Sequence, residues 1–187
     1  MGDRLPSDHN YRLYSALVEK IPSLKEMDWQ LGTITGIPDY EGNIKLGRKS
    51  ILMARCKISD INLFGVLDNQ YLRIGQSILQ LGSMEGSSLR PATKLHSRIV
   101  TISTRYRGRI DPFEFGVALG RKMSGQGFEV IPMPELGKRL TLKIRENTVI
   151  GYGLTFDNLA PNESLKLLLD GVGGRRKMGC GVFVQID

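Results

Sequence analysis

The chain has 187 residues, 41% of them hydrophobic and 24% charged, enough for one large domain or two small ones packed side by side. Twenty-six Lys and Arg against 19 Asp and Glu give a formal charge of +7, which favours a polyanion as partner, nucleic acid first. No apolar run reaches the roughly 18 residues of a membrane span, MGDRLPSDHN lacks the apolar core of a signal peptide, and Cys56 and Cys180 are too few for a disulfide framework or a zinc site. A cytoplasmic protein without membrane partner, metal or other cofactor is expected.

Ser7 stands as the N-cap of a helix over SDHNYRLYSALVEKIP, with Leu13, Leu17 and Ile21 on one face and Pro22 at its end. Strands are predicted in WQLGTITGI and SILMARCKI, on either side of the turn-rich PDYEGNIKLGRK. SDINLFGVL reads as a short helix, and QYLRIG and SILQLG as strand segments. KLHSRIVTIST then reads as a strand and DPFEFGVALGRKM as a helix; KRLTLKIREN and TVIGYGLTF form a hairpin turning near Glu146 and Asn147. A helix follows from Pro161 to Asp170, with Leu165, Leu168 and Leu169 on one face and Gly171 at the C-terminal glycine position, and CGVFVQI closes as a strand.

The second half is thus strand, helix, two strands, helix, strand, the ferredoxin-like βαββαβ unit. The first half repeats that series with its opening strand missing or reduced to MGDRL. The expected fold is α+β, two tandem ferredoxin-like modules over 1–90 and 91–187.

Between the last helix and the last strand, Gly171, Gly173, Gly174, Gly179 and Gly181 surround Arg175, Arg176 and Lys177. A helix cap explains one glycine. Five suit a loop that packs closely on other backbone and turns N–H groups toward phosphates, while arginines offer forked donors to phosphate oxygens. The loop has no GK[ST] and follows a helix, so it is not a Walker A motif. Two further basic segments stand out. Arg48 and Lys49 lie in LGRKS, suited to phosphate contacts. Arg105 and Arg107 flank Tyr106, which reads either as a grip on an RNA backbone or as a charged turn.

The glycine-rich loop before the final strand of a second ferredoxin-like module resembles the RAMP superfamily of CRISPR-associated proteins. LPSDHNYRLYSALVEKIP, IKLGRKSILMARCKI, LHSRIVTI and ESLKLLLDGVGGRRKMGCGVFV, in that order, are similar to the CRISPR repeat endoribonucleases that process precursor CRISPR RNA, in particular the myxococcal-type branch. The resemblance covers nearly the whole chain. It implies metal-independent cleavage by a 2′-hydroxyl, leaving a 2′,3′-cyclic phosphate and a 5′-hydroxyl, with an active site around the first helix.

That chemistry needs a base, a cation for the phosphorane charge and a proton for the leaving oxygen. His9, expected in the first turn of the helix, is the candidate base, with a polar capping residue as its alternative reading. Tyr14 stands where relatives carry histidine; it either orients the ribose, acts as an acid or belongs to the core. Lys25 stands at a second histidine position and supplies charge or is simply solvated, and His96 reads as a strand residue or an RNA contact. Repeat RNA is the expected partner, with effector-complex subunits and a homodimer as further ones. The rival readings are a non-catalytic RNA-binding subunit of a CRISPR effector complex and an enzyme that places a nucleotide phosphate on the glycine loop.

Overall fold

A computed structural model describes residues 3–102, 111–128 and 133–186, and the chain divides into two compact units, Met1–Ser87 and Ser88–Asp187. In the first unit the opening strand is present in reduced form, as β1 (Arg4–Pro6). The N–H of Ser7 still reaches the carbonyl of Gly42 at 2.9 Å, beyond the end of the ladder. Ser7 therefore belongs to the sheet side of the junction, and α1 (Asn10–Lys20) starts later than the sequence suggests, with His9 as its N-cap. The expected face is buried: Leu13, Leu17 and Ile21 all lie in the core.

β2 (Gln30–Leu31), β3 (Ile37–Pro38), β4 (Asn43–Lys45) and β5 (Ala54–Arg55) form one interrupted hairpin. β3 pairs with β4 and β2 with β5, and the return arm carries three more residues than the outgoing one between the two ladders. The surplus folds into a turn in which Gly47 N–H donates to Ser50 Oγ (3.1 Å) and Ser50 N–H to the Gly47 carbonyl (2.9 Å). SILMARCKI is consequently not one continuous strand, and its expected pairing is taken over partly by β4, inside the segment read as a turn. β4 also pairs with β1, giving the order β1-β4-β3.

SDINLFGVL, expected as a short helix, is helical in the 3₁₀ form, within Ile58–Leu67. Its buried residues are Phe64 and Leu67, three apart, which matches the three-residue turn of that helix. β6 (Tyr71–Ile74) and β7 (Ser77–Gln80) make a hairpin of their own. The core gathers Leu5, Leu13, Leu17 and Leu24 around Trp29. The indole N–H of Trp29 donates to the Leu24 carbonyl at 2.8 Å, and its ring meets Phe64 edge-on at 5.9 Å.

The second unit holds β8 (Leu95–Val100), α2 (Pro112–Gly125), β9 (Glu135–Ile144), β10 (Asn147–Phe156), α3 (Pro161–Asp170) and β11 (Val184–Gln185). Its sheet runs β11-β8-β10-β9, each neighbouring pair antiparallel. Fourth, first, third, second is the ferredoxin-like order that two βαβ crossovers generate. Asp111 caps α2 by accepting the Glu114 N–H at 2.8 Å, with Pro112 at the first helical position. The buried face of α3 is Ser164, Leu167 and Leu168. Leu169, expected on that face, is 59% exposed, because the helix is set by Ser164, whose Oγ accepts the Ala92 N–H at 2.8 Å. β11 is shorter than CGVFVQI suggests: Gly181, at φ +66°, is outside the strand region and donates its N–H to Ile99.

His96 on β8 faces Thr155 on β10, its Nδ1 3.0 Å from the Thr155 hydroxyl. Burial holds the imidazole below its ordinary value, opposed by a backbone hydrogen bond at Leu154. The unfolded chain therefore takes up a proton here before the folded one does. This contribution to stability is complete above the ordinary value of about 6.5 and is lost as pH falls from there through the lower value of the folded chain. Urea midpoints at pH 7.5 and 5.5 should fall further for the wild-type chain than for His96→Gln; equal falls would contradict this account.

Candidate functional site

His9, Tyr14 and Lys25 all lie on α1 or the turn that follows it. His9 is 0% exposed. The Pro6 carbonyl lies 2.8 Å from its Nδ1; a carbonyl only accepts, so Nδ1 carries the proton. The imidazole thus ties the end of β1 to the start of α1. Tyr14 is half-buried, with its ring stacked on Trp29 at 6.3 Å and 21°. Lys25, the last residue of the 3₁₀ turn Pro22–Lys25, is exposed. Among these three, Lys25 is exposed, Tyr14 half-buried and His9 buried.

Arg48 and Lys49 occupy the centre of the Gly47–Ser50 turn, both exposed. Arg105 and Arg107 lie outside the described residues. Among the described residues no group of three His, Cys, Asp or Glu could hold a metal ion.

In the second unit the glycine-rich loop leaves α3 at Gly171, passes the end of β8 and enters β11. Three glycines answer to backbone rather than to a ligand. A Cβ on Gly171 would strike the Gly181 carbonyl, one on Gly181 the Val172 carbonyl and one on Gly173 the Thr101 carbonyl, and all three have φ between +61° and +85°. Gly179 ends the short 3₁₀ turn Arg176–Met178 at φ +75°. Gly174 alone differs: it has ordinary φ and nothing within 4 Å of where a Cβ would stand. Most loop N–H groups are spent within the protein: Val172 on Gly181 (3.1 Å), Gly174 on Thr101 (3.1 Å), Gly181 on Ile99 (2.7 Å) and Cys180 on Arg175 (3.2 Å).

The three cations separate. Arg175 is exposed and in the left-handed region, φ 63° and ψ 35°. Arg176 is half-buried; its guanidinium donates to the Asp170 carbonyl at 2.6 Å and so closes the C-terminus of α3. Lys177 is half-buried. Gln126, just past α2, donates its side-chain N–H to the Gly171 carbonyl at 3.3 Å. Thr101 and Gln126 went unnoticed in the sequence. The ferredoxin-like order could have pointed to Thr101, since it sets the closing strand beside the first and forces the preceding loop across the end of that strand. Gly181→Ala should lower the thermal midpoint by several degrees or abolish cooperative unfolding, whereas Gly174→Ala should unfold within a degree or two of wild type. Circular dichroism melts read both, and equal losses would count against the backbone account of the loop.

The sequence matches the Cas6 Crispr family over residues 1–187. It is 30% identical over 184 residues to the CRISPR-associated endonuclease Cas6 of Myxococcus xanthus (strain DK1622), a match spanning 98% of this chain and 77% of that one. Among solved structures, the fold is shared with an RAMP protein binding different RNA substrates (TM-score 0.67, 15% identity, 98% of this chain and 93% of that one). It is shared equally with a CRISPR associated protein Cas6 (0.66, 16%, 98% and 93%). Thermus thermophilus Cse3 bound to an RNA representing a pre-cleavage complex aligns at 0.53 and 16% identity, over 95% of this chain and 88% of that one. On the match across its whole length, with two units of which the second has the ferredoxin-like strand order, the chain belongs to the Cas6 family.

Proposed function

We propose that this chain is a metal-independent endoribonuclease that binds CRISPR repeat RNA and cleaves precursor CRISPR RNA. The observation that carries the reading is the 30% identity, across 98% of the chain, to a relative named as an endonuclease. The 2′-hydroxyl beside the scissile phosphate attacks phosphorus, the bond to the 5′-oxygen breaks, and the products are a 2′,3′-cyclic phosphate and a 5′-hydroxyl. Lys25, exposed at the end of its turn, suits stabilisation of the phosphorane charge, and the phenol of Tyr14 suits orientation of the ribose or protonation of the leaving oxygen. His9 is buried against Pro6, which suits holding α1 rather than taking a proton from RNA. Arg175 on the loop, and Arg48 and Lys49 on the first unit, bind phosphates. The glycines at 171, 173, 179 and 181 shape the loop, and Arg176 secures it to α3.

A non-catalytic RNA-binding role within a CRISPR effector complex is the second reading, favoured by the complete burial of His9. The two readings separate on product chemistry. Incubation with a cognate repeat RNA in EDTA should yield a single cut with a cyclic phosphate end, and a 2′-deoxy substitution at the cut should abolish cleavage while leaving binding unchanged. Binding without cleavage favours the second reading. His9→Asn, which keeps an N-cap side chain and a donor for the Pro6 carbonyl, should cleave within about threefold of wild type, whereas loss of cleavage with binding intact would make His9 the base after all.

A further inference from the structure

We infer that Thr101 is a positioning residue for RNA binding: it fixes the Gly174 peptide so that the backbone N–H of Arg175 points outward, beside the Arg175 guanidinium, as a donor to one phosphate oxygen. The inference rests on the reading of the loop as an RNA contact.

Thr101 follows β8 and is 1% exposed. It binds both polar groups of Gly174: its carbonyl accepts the Gly174 N–H at 3.1 Å, and its hydroxyl donates to the Gly174 carbonyl at 3.2 Å. A single side chain and its own backbone thereby fix the orientation of the next peptide. The described peptides are all trans, and in a trans peptide the N–H points opposite to the carbonyl. With the Gly174 carbonyl turned in to Thr101, the Arg175 N–H is turned away from it.

The other side of Arg175 is fixed as well. Its carbonyl accepts from Met178 (2.8 Å) and Cys180 (3.2 Å). Arg175 itself is exposed, and its N–H has no partner among the described residues. Gly174 adds no side chain and has open space where one would stand. An N–H donor and a guanidinium carried by one rigid, exposed residue provide a hydrogen bond and a charge to the same oxyanion. Thr101 does not touch RNA; it acts through Arg175.

The test uses the full chain and a cognate repeat RNA made uncleavable by a 2′-deoxy nucleotide at the cut. Thr101→Val keeps the β-branched shape and removes the hydroxyl. It should weaken binding about tenfold, the scale of one hydrogen bond to a charged group, without changing the slope of affinity against salt. Thr101→Ser should restore binding to within about twofold. Arg175→Ala should make the salt slope shallower by about one ion. The decisive readout is a scan replacing each phosphate in turn by a neutral methylphosphonate. One position should weaken the wild-type complex and leave the Thr101→Val complex unaffected, while other positions weaken both. Melting curves are recorded for Thr101→Val and Thr101→Ala, and whichever keeps the wild-type transition is used. Wild-type affinity for that variant, or a methylphosphonate pattern identical to wild type, overturns the inference alone. Unchanged affinity and slope for Arg175→Ala overturn the loop's role in RNA binding, and this inference with it.

Discussion

Two backbone carbonyls at the end of β8 hold the C-terminal loop in place. Ile99 takes the N–H of Gly181 and Thr101 that of Gly174, so the segment between α3 and β11 is stitched to a strand more than seventy residues earlier. Such bonds lay backbone directly on backbone: the pairing with β8 sets Gly173 against the Thr101 carbonyl, and the Val172–Gly181 bond within the loop sets Gly171 and Gly181 against carbonyls of the loop itself. The helix at one end of the loop is closed by Arg176 on Asp170 and by Gln126 on Gly171. Both polar groups of Gly174 are taken by Thr101, and Arg175 beside it is exposed.

Adjacent arginines therefore have unequal roles. A guanidinium 2.6 Å from a helix-terminal carbonyl is already committed as a donor, whereas one at the exposed corner of a left-handed residue faces solvent. Composition counts both as +1. The first unit divides its candidates in a similar way: the histidine most attractive for acid–base chemistry secures the junction of β1 and α1, and the more exposed Lys25 lies one turn beyond the helix.

Periodicity located α1, α2, α3 and the β9–β10 hairpin, because each has a clear apolar repeat or a strong cap: Leu13, Leu17 and Ile21 on α1, Asp111 with Pro112 on α2, Pro161 on α3. It failed where tertiary bonds override local pattern. Ser7 is a good N-cap residue whose N–H is taken by Gly42, and SILMARCKI alternates like a strand but must absorb three surplus residues of a mismatched hairpin. Ser164 displaces Leu169 from the buried face of α3 through a hydrogen bond to Ala92, seventy-two residues away. At the candidate sites, the loop was legible as glycine and charge, but the hydrogen bonds of Thr101 depend on Gly174, seventy-three residues away, and the burial of His9 carries no local pattern that would mark it.

Of the five glycines that make this loop conspicuous, Gly171, Gly173 and Gly181 have the least freedom to change, whereas Gly174 has open space where a side chain would stand. On the proposed reading of the loop as an RNA contact, a lineage could exchange side chains at 174 and 175, and so drift from one RNA partner to another, without disturbing the hydrogen bonds that hold the loop. The same sequence signature would then mark proteins of shared architecture and divergent specificity.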